Sequence, residues 1–133
     1  MDYHYQIINN LDSFNTFRVK LADESWYKSL ECGRRYALDL ILEELLSNTI
    51  KYGYDDADPH TISITLAVAA DCVRLTVIDD GHEFDPRGAH GADVTKPLRE
   101  RRVGGVGLLL VKTLSREMSY RREAGKNILG IVI

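Results

Sequence analysis

Residues 38–56 read LDLILEELLSNTIKYGYDD, an apolar segment that keeps Glu43, Glu44, Asn48 and Lys51 among its leucines and isoleucines. Leu38, Ile41, Leu42, Leu45, Leu46 and Ile50 recur at helical spacing. That spacing predicts a helix from near Glu31–Arg34 to about Tyr52, stopped by Gly53. On it Glu44 and Asn48 are i, i+4 neighbours and Lys51 continues the line at i+7, so all three share one edge beside the leucine face. Glu43 points about 100° away and is expected at the surface. A polar edge on an amphipathic helix is commonplace, so a chemical role for this one requires partners elsewhere in the chain.

The segments on either side supply a context. Tyr3–Asn10 (YHYQIINN) reads as a short strand, rich in aromatic and β-branched residues and closed by turn-prone asparagines. Leu11-Asp12-Ser13 then opens a first helix, with Asp12 or Ser13 as its cap. Phe14, Phe17, Leu21 and Trp26 make its apolar stripe through about residue 29. After the turn YDDADPH, Thr61–Ala69 and Cys72–Asp79 are β-branched runs joined by Ala70-Asp71, a hairpin pattern. Residues 80–105 lack periodicity and read as a long loop of the kind used as a lid or binding element. Val106–Glu117 reads as a helix opened by glycines. Met118–Arg122 and Ile128–Ile133 close the chain as two strands around the turn Glu123–Asn127. The order predicts an α+β fold: a two-layer sandwich of a mostly antiparallel sheet with helices on one face.

Two further motifs bear on chemistry. In VIDDGHEFDP (77–86) a strand ends at Asp79 and Gly81 allows a sharp turn. A partly buried carboxylate there suits an exocyclic amine such as that of adenine, although D-D-G after a strand is also an ordinary turn. In RRVGGVGLLLVKTL (101–114) Gly104, Gly105 and Gly107 precede or open a helix. Their N–H groups and the helix dipole form an anion site suited to phosphates, and Leu108–Val111 anchors the helix on the sheet. These glycines do not follow the first strand of a βαβ unit, which excludes a dinucleotide-binding fold.

Composition sets the outer bounds. A chain of 133 residues is expected to be one domain, residues 1–133, with a single core. A formal net charge of -3 argues against a general nucleic-acid binder. Cys32 and Cys72 have no metal-ligand spacing and are expected as reduced, packed or half-packed thiols. His4, His60, His82 and His90 share no such spacing either. No apolar run reaches the roughly 18 to 20 residues that span a membrane, and MDYHYQIINN lacks signal-peptide character, so a cytoplasmic location is expected.

Taken in order, E-x-x-x-N on a helix, D-x-G-x-x-F-D-P after a strand and G-x-G-L-x-L-V opening a helix resemble the ATP-binding (Bergerat-type) fold shared by DNA gyrase, histidine kinases and mismatch-repair ATPases. Within that superfamily the chain is most similar to bacterial anti-sigma factor serine/threonine kinases. The resemblance implies ATP and Mg²⁺ as ligands. It implies Glu44 as the general base, Asn48 as the magnesium ligand, and Lys51 near the phosphates. Asp79 would bond the adenine amine, with Gly81 allowing close approach, and Gly105, Gly107 and Leu108 would lie at the nucleotide; residues 85–103 would form the lid. It further implies binding of a sigma factor and phosphorylation of an anti-anti-sigma protein on a serine, and members of this type are often homodimers. A non-catalytic ATP-sensing interaction module of the same fold is the alternative reading. A stand-alone piece of a histidine-kinase-like sensor, or a regulator of a phosphatase, is a third. The chain departs from the family pattern at Glu83, where relatives often carry a second glycine, and at Tyr52, where many carry histidine. Glu83 is expected to crowd the adenine edge or to bring a negative charge near the nucleotide, and Tyr52 to take a core or stacking role.

Overall fold

A computed structural model describes residues 1–88 and 105–133 of the chain. It begins with strand β1 (Asp2–Ile8), helix α1 (Leu11–Asp23), the single-turn α2 (Ser25–Lys28) and the long helix α3 (Cys32–Tyr52). The hairpin β2 (Thr61–Val68) and β3 (Val73–Asp79) follows, then a 3₁₀ turn at Pro86–Gly88. Helix α4 (Gly105–Leu114) and the hairpin β4 (Glu117–Glu123) and β5 (Lys126–Val132) complete the order. The five strands form one antiparallel sheet in the order β1-β2-β3-β5-β4.

Alternation along the strands decides which face is covered. Ile62, Ile64 and Leu66 of β2, Val73, Leu75 and Val77 of β3, and Leu129 and Ile131 of β5 are buried in one cluster with Phe14, Phe17, Leu38, Ile41, Leu42 and Leu46 from the helices. Their neighbours on the other face, including Thr65, Thr76, Ile78, Ile128 and Gly130, are only half-buried. Helices thus lie on one side of the sheet, the α+β architecture expected from the element order.

Helix starts follow from local capping chemistry. Asn10, rather than Asp12 or Ser13, caps α1: its side chain accepts from the Ser13 N–H at 2.7 Å. Ser13 instead accepts from the Ile8 N–H at 2.9 Å, tying strand to helix. The first helical stretch also breaks at Glu24, so Trp26 sits on α2, stacked on Tyr3 with ring centroids 5.0 Å apart. Trp26 and Tyr27 are both buried. Glu31 caps α3 by accepting from the N–H groups of Gly33 and Arg34, and Glu43 lies exposed against Arg18. Cys32 is exposed rather than packed, and Cys72 is half-buried.

The last hairpin departs from the sequence reading in a way that matters for the site. Its turn is the two residues Ala124-Gly125, both with positive φ (51° and 75°), as the right-handed strand twist favours. Glu123 pairs with Lys126, and the ladder continues to Arg122↔Asn127. Asn127 is therefore a strand residue, although the sequence reading placed it in a five-residue turn.

Burial ranks the core positions. Leu46→Ala, at a fully buried position, is expected to lower the unfolding free energy by about 2–5 kcal/mol in urea titration. Leu109→Ala, 51% exposed on α4, is expected to change it by less than about 0.5 kcal/mol.

Candidate functional site

The inward-facing residues of the sheet turn polar at one end. Val77 of β3 stands beside Leu129 of β5 and then Tyr120 of β4; one rung further come Asp79, Asn127 and Arg122. Asp79 and Asn127 are buried, and burial obliges them to be hydrogen-bonded. The Asp79 Oδ1 accepts from the Gly81 N–H at 2.9 Å and from the Asn127 side-chain amide at 3.0 Å. The same amide donates to the His82 carbonyl at 2.7 Å. Asn127 Oδ1 in turn accepts from the Tyr120 hydroxyl at 2.6 Å and from Arg122 at 3.0 Å, and Arg122 also donates to the Gly81 carbonyl at 2.8 Å. Every donor and acceptor of the Asn127 side chain is engaged. Asp79 Oδ2 accepts no hydrogen bond among the described residues.

Over this rung lies a cavity of about 390 Å³. Its walls are Leu45, Asn48, Thr49 and Tyr52 of α3, Val77 and Leu129 of the sheet, Leu108 of α4, and Glu83, Phe84 and Pro86 after β3. Apolar side chains share this lining with the carboxylates of Asp79 and Glu83, the amides of Asn48 and Asn127, and His82 and Tyr120, a mixture suited to a flat heterocycle read by a few polar groups. The Asn48 side chain makes no hydrogen bond among the described residues. Tyr52 is an exposed rim residue rather than a core one. Glu83 does line the cavity, as its position in the motif implied. The Tyr120 hydroxyl is held above its ordinary range, first by burial and then by the charge of Glu83.

Two glycines permit the close approaches that frame the cavity. The His82 N–H donates to the Gly53 carbonyl at 2.8 Å, docking the turn after β3 on the C-terminus of α3. A Cβ at position 81 would come within 2.6 Å of that carbonyl. Where α3 meets α4, a Cβ at Gly107 would lie 2.6 Å from Glu44 Cδ and closer still to its Oε2. The Glu44 carboxylate thus rests on the first turn of α4, a favourable place for a negative charge.

The structure therefore distributes the expected residues over distinct places. Asn48, Asp79 and Leu108 line the cavity, and Gly81 stands immediately behind Asp79. Glu44 and Gly107 touch one another outside the lining. Gly105 opens α4, and Lys51 is exposed away from the cavity wall. Residues 89–103 of the expected lid, with His90, and Gly104 lie outside the described residues. Lys112 of α4 donates to the Arg87 carbonyl at 3.1 Å, joining α4 to the start of that segment. Among the described residues no cluster of His, Cys, Asp and Glu could hold a metal ion by itself. Nor is any helix among them long and apolar enough to cross a membrane.

A model of the histidine kinase-like ATPase domain matches residues 9–133. The chain belongs to this family. Among curated relatives, the serine/threonine-protein kinase BtrW of Bordetella bronchiseptica is 30% identical over 95 residues, covering 71% of this chain and 67% of that protein. The serine-protein kinase RsbW of Halalkalibacterium halodurans is 26% identical over 66% of this chain and 56% of its own length. This chain thus spans little more than half to two thirds of those two relatives. The solved RsbU and RsbW domains of a Mycobacterium tuberculosis protein superpose with a TM-score of 0.64 at 17% identity, over 99% of this chain and 32% of that one. The Acinetobacter baumannii histidine kinase AdeS does so at 0.51, also at 17% identity, over 98% of this chain and 66% of that one. Both superpositions speak for the fold alone.

Within this family fold, Asn127 and its partners Tyr120 and Arg122 are what the sequence reading missed. Asn127→Ala would strip Asp79 of a buried donor and leave the His82 carbonyl without its amide. Such a change is expected to cost about 1–3 kcal/mol of stability in denaturant titration, and to shift the Gly81 and His82 amide resonances.

Proposed function

We propose that the chain is an ATP-dependent serine/threonine kinase of the anti-sigma factor type, which binds a sigma factor and phosphorylates an anti-anti-sigma protein on a serine. The observation that carries this reading is that one cavity is lined by two residues with unengaged polar groups: Asp79, whose Oδ2 accepts no hydrogen bond among the described residues, and Asn48 on the α3 wall. Family membership and the kinase names of the relatives support it. Asp79 Oδ2 accepts the exocyclic amine of adenine, while Val77, Phe84, Leu108 and Leu129 enclose the ring. Guanine presents a carbonyl where adenine presents that amine, so the same oxygen disfavours it.

The donor set fits magnesium in one respect. Asn48 offers a neutral, hard amide oxygen at the cavity wall, and the remaining positions of such an ion are ordinarily taken by phosphates and water. When bound, magnesium supplies neutralisation of phosphate charge. Glu44, one helical turn before Asn48, takes the proton of the attacking hydroxyl on its carboxylate. The first-turn N–H groups of α4 add fixed positive potential beside it. Residues 1–133 act as one ATPase domain in this scheme.

Glu83 on the cavity wall favours a second reading, a nucleotide-sensing interaction module without turnover. One pair of variants separates the two. Glu44→Gln is expected to retain ATP affinity within about threefold and to lose at least about 100-fold in phosphoryl transfer to the partner serine, followed with radiolabelled ATP. Wild-type protein that binds ATP yet transfers no phosphate to any partner would leave the sensing module. Asn48→Ala is expected to abolish the magnesium dependence of ATP binding measured by calorimetry; an unchanged dependence would remove its metal role.

A further inference from the structure

Behind the Asp79 turn, on the side away from the cavity, His60 bridges two segments that the cavity depends on. Its Nε2 lies 2.7 Å from Asp56 in the segment after α3, and its Nδ1 lies 3.1 Å from Asp80 at the end of β3. The ring stacks on Tyr54 with centroids 4.3 Å apart, and the His60 backbone N–H donates to the Asn9 side chain at 2.8 Å. A second contact, His82 Nε2 to Asp55 at 3.1 Å, joins the same two segments.

The charges around the ring are mostly negative. Asp56 comes from the segment after α3, and Asp79 and Asp80 come from the end of β3. Lys126 at the start of β5 is the other cation on this hollow, beside Gln6 and Ser63. The buried Tyr54 hydroxyl lies beside Asp80 without a well-aligned hydrogen bond. Burial first, then the charges of Asp79 and Asp80, hold it in its protonated form.

We propose that His60 is a positioning residue for the nucleotide cavity: as an imidazolium it clamps Asp56 to Asp80 and so fixes the turn that carries Asp79 and Gly81. Both ring nitrogens face carboxylates, and only the doubly protonated ring can donate to both. Loss of that proton leaves one nitrogen as an acceptor facing an acceptor. It also restores an uncompensated negative cluster beside a site for an anionic ligand. The hydrogen bonds to Asp56 and then Asp80 raise the pKa of His60 above its ordinary value. A group raised on folding stabilises the folded arrangement fully below its unfolded value, about 6.5, and that contribution disappears as pH rises through the higher folded value. Nucleotide affinity follows the same sign, stronger at the acid end and weaker at the alkaline end.

The proposal rests on the nucleotide reading, and its test keeps the two apart. Calorimetric titration with magnesium ATP from pH 6.0 to pH 8.5 compares wild type with His60→Gln, which retains hydrogen-bonding capacity without the charge. ATP ionisation is common to both proteins, so the ratio of their affinities isolates His60. The variant is expected to bind roughly fivefold more weakly at pH 6.0, converging on wild type at pH 8.5. A ratio that does not change with pH would overturn the proposal. In the free protein, the Gly81 and His82 amide resonances are expected to titrate together with the His60 ring, and to lose that step in His60→Gln. Amides that ignore the ring also overturn it. Absence of ATP binding at every pH, with the amide titration intact, would refute the nucleotide reading and leave His60 fixing the turn alone.

Discussion

A carboxylate on the inner face of a sheet has to be hydrogen-bonded or neutralised, because desolvation of an unpaired charge costs more than this fold can spare. Asp79 meets that demand with one oxygen only, held by the Gly81 N–H and by the cross-strand amide of Asn127. The arrangement leaves Oδ2 without a hydrogen bond among the described residues, on a residue that lines the cavity. Much of the surrounding structure serves that geometry. The register of β3 on β5 sets Asp79 opposite Asn127, and the short Ala124-Gly125 turn keeps Asn127 in the ladder. Tyr120 and Arg122, donors to Asn127 Oδ1, determine which way its amide faces.

The same end of the molecule is assembled from close approaches. Gly81 lets the turn after β3 settle on the last residues of α3, and Gly107 lets the Glu44 carboxylate rest on the first turn of α4. Side chains at either point would push α3 away from its neighbour and open the cavity. The polar edge of α3 is thus divided by what it meets. Asn48 faces the cavity, Glu44 faces α4, and Lys51, a turn further on, faces out. This edge of an apolar helix borders a cavity, a neighbouring helix and solvent rather than the core.

Much of this was legible in the sequence because it depends on periodicity. The leucine pattern of residues 38–50 located α3, and the β-branched alternation of residues 61–79 located the hairpin and ended it at Asp79. What escaped depends on register. Asn127 is a turn-forming residue two positions after Gly125, and local chemistry alone assigns it to the turn. Only the pairing of β5 with both β3 and β4 shows it buried between Asp79 and Arg122. The continuation of the inward alternation of Leu129 and Ile131 back to position 127 was the available signal. Asn10 was missed as a cap for a similar reason, since Asp12 and Ser13 are equally good capping types and only the chain path chooses among them. Lys51 follows Glu44 and Asn48 on the same helical line, as the spacing predicts, but it is exposed and lies beyond the end of the cavity lining.

Recognition of a purine amine by a single prearranged carboxylate oxygen is the central claim, and base selectivity tests it most directly. Titration of the wild-type protein with ATP and with GTP, each with magnesium, should be repeated with Asp79→Asn, which keeps the side-chain shape and exchanges an acceptor for a donor on one side. Binding of ATP at least about tenfold tighter than GTP, with that preference lost in the variant, is the expected result; a tenfold ratio corresponds to about 1.4 kcal/mol, within the range of one hydrogen bond to a charged acceptor. Equal affinity for the two nucleotides, or selectivity that survives Asp79→Asn, would contradict it.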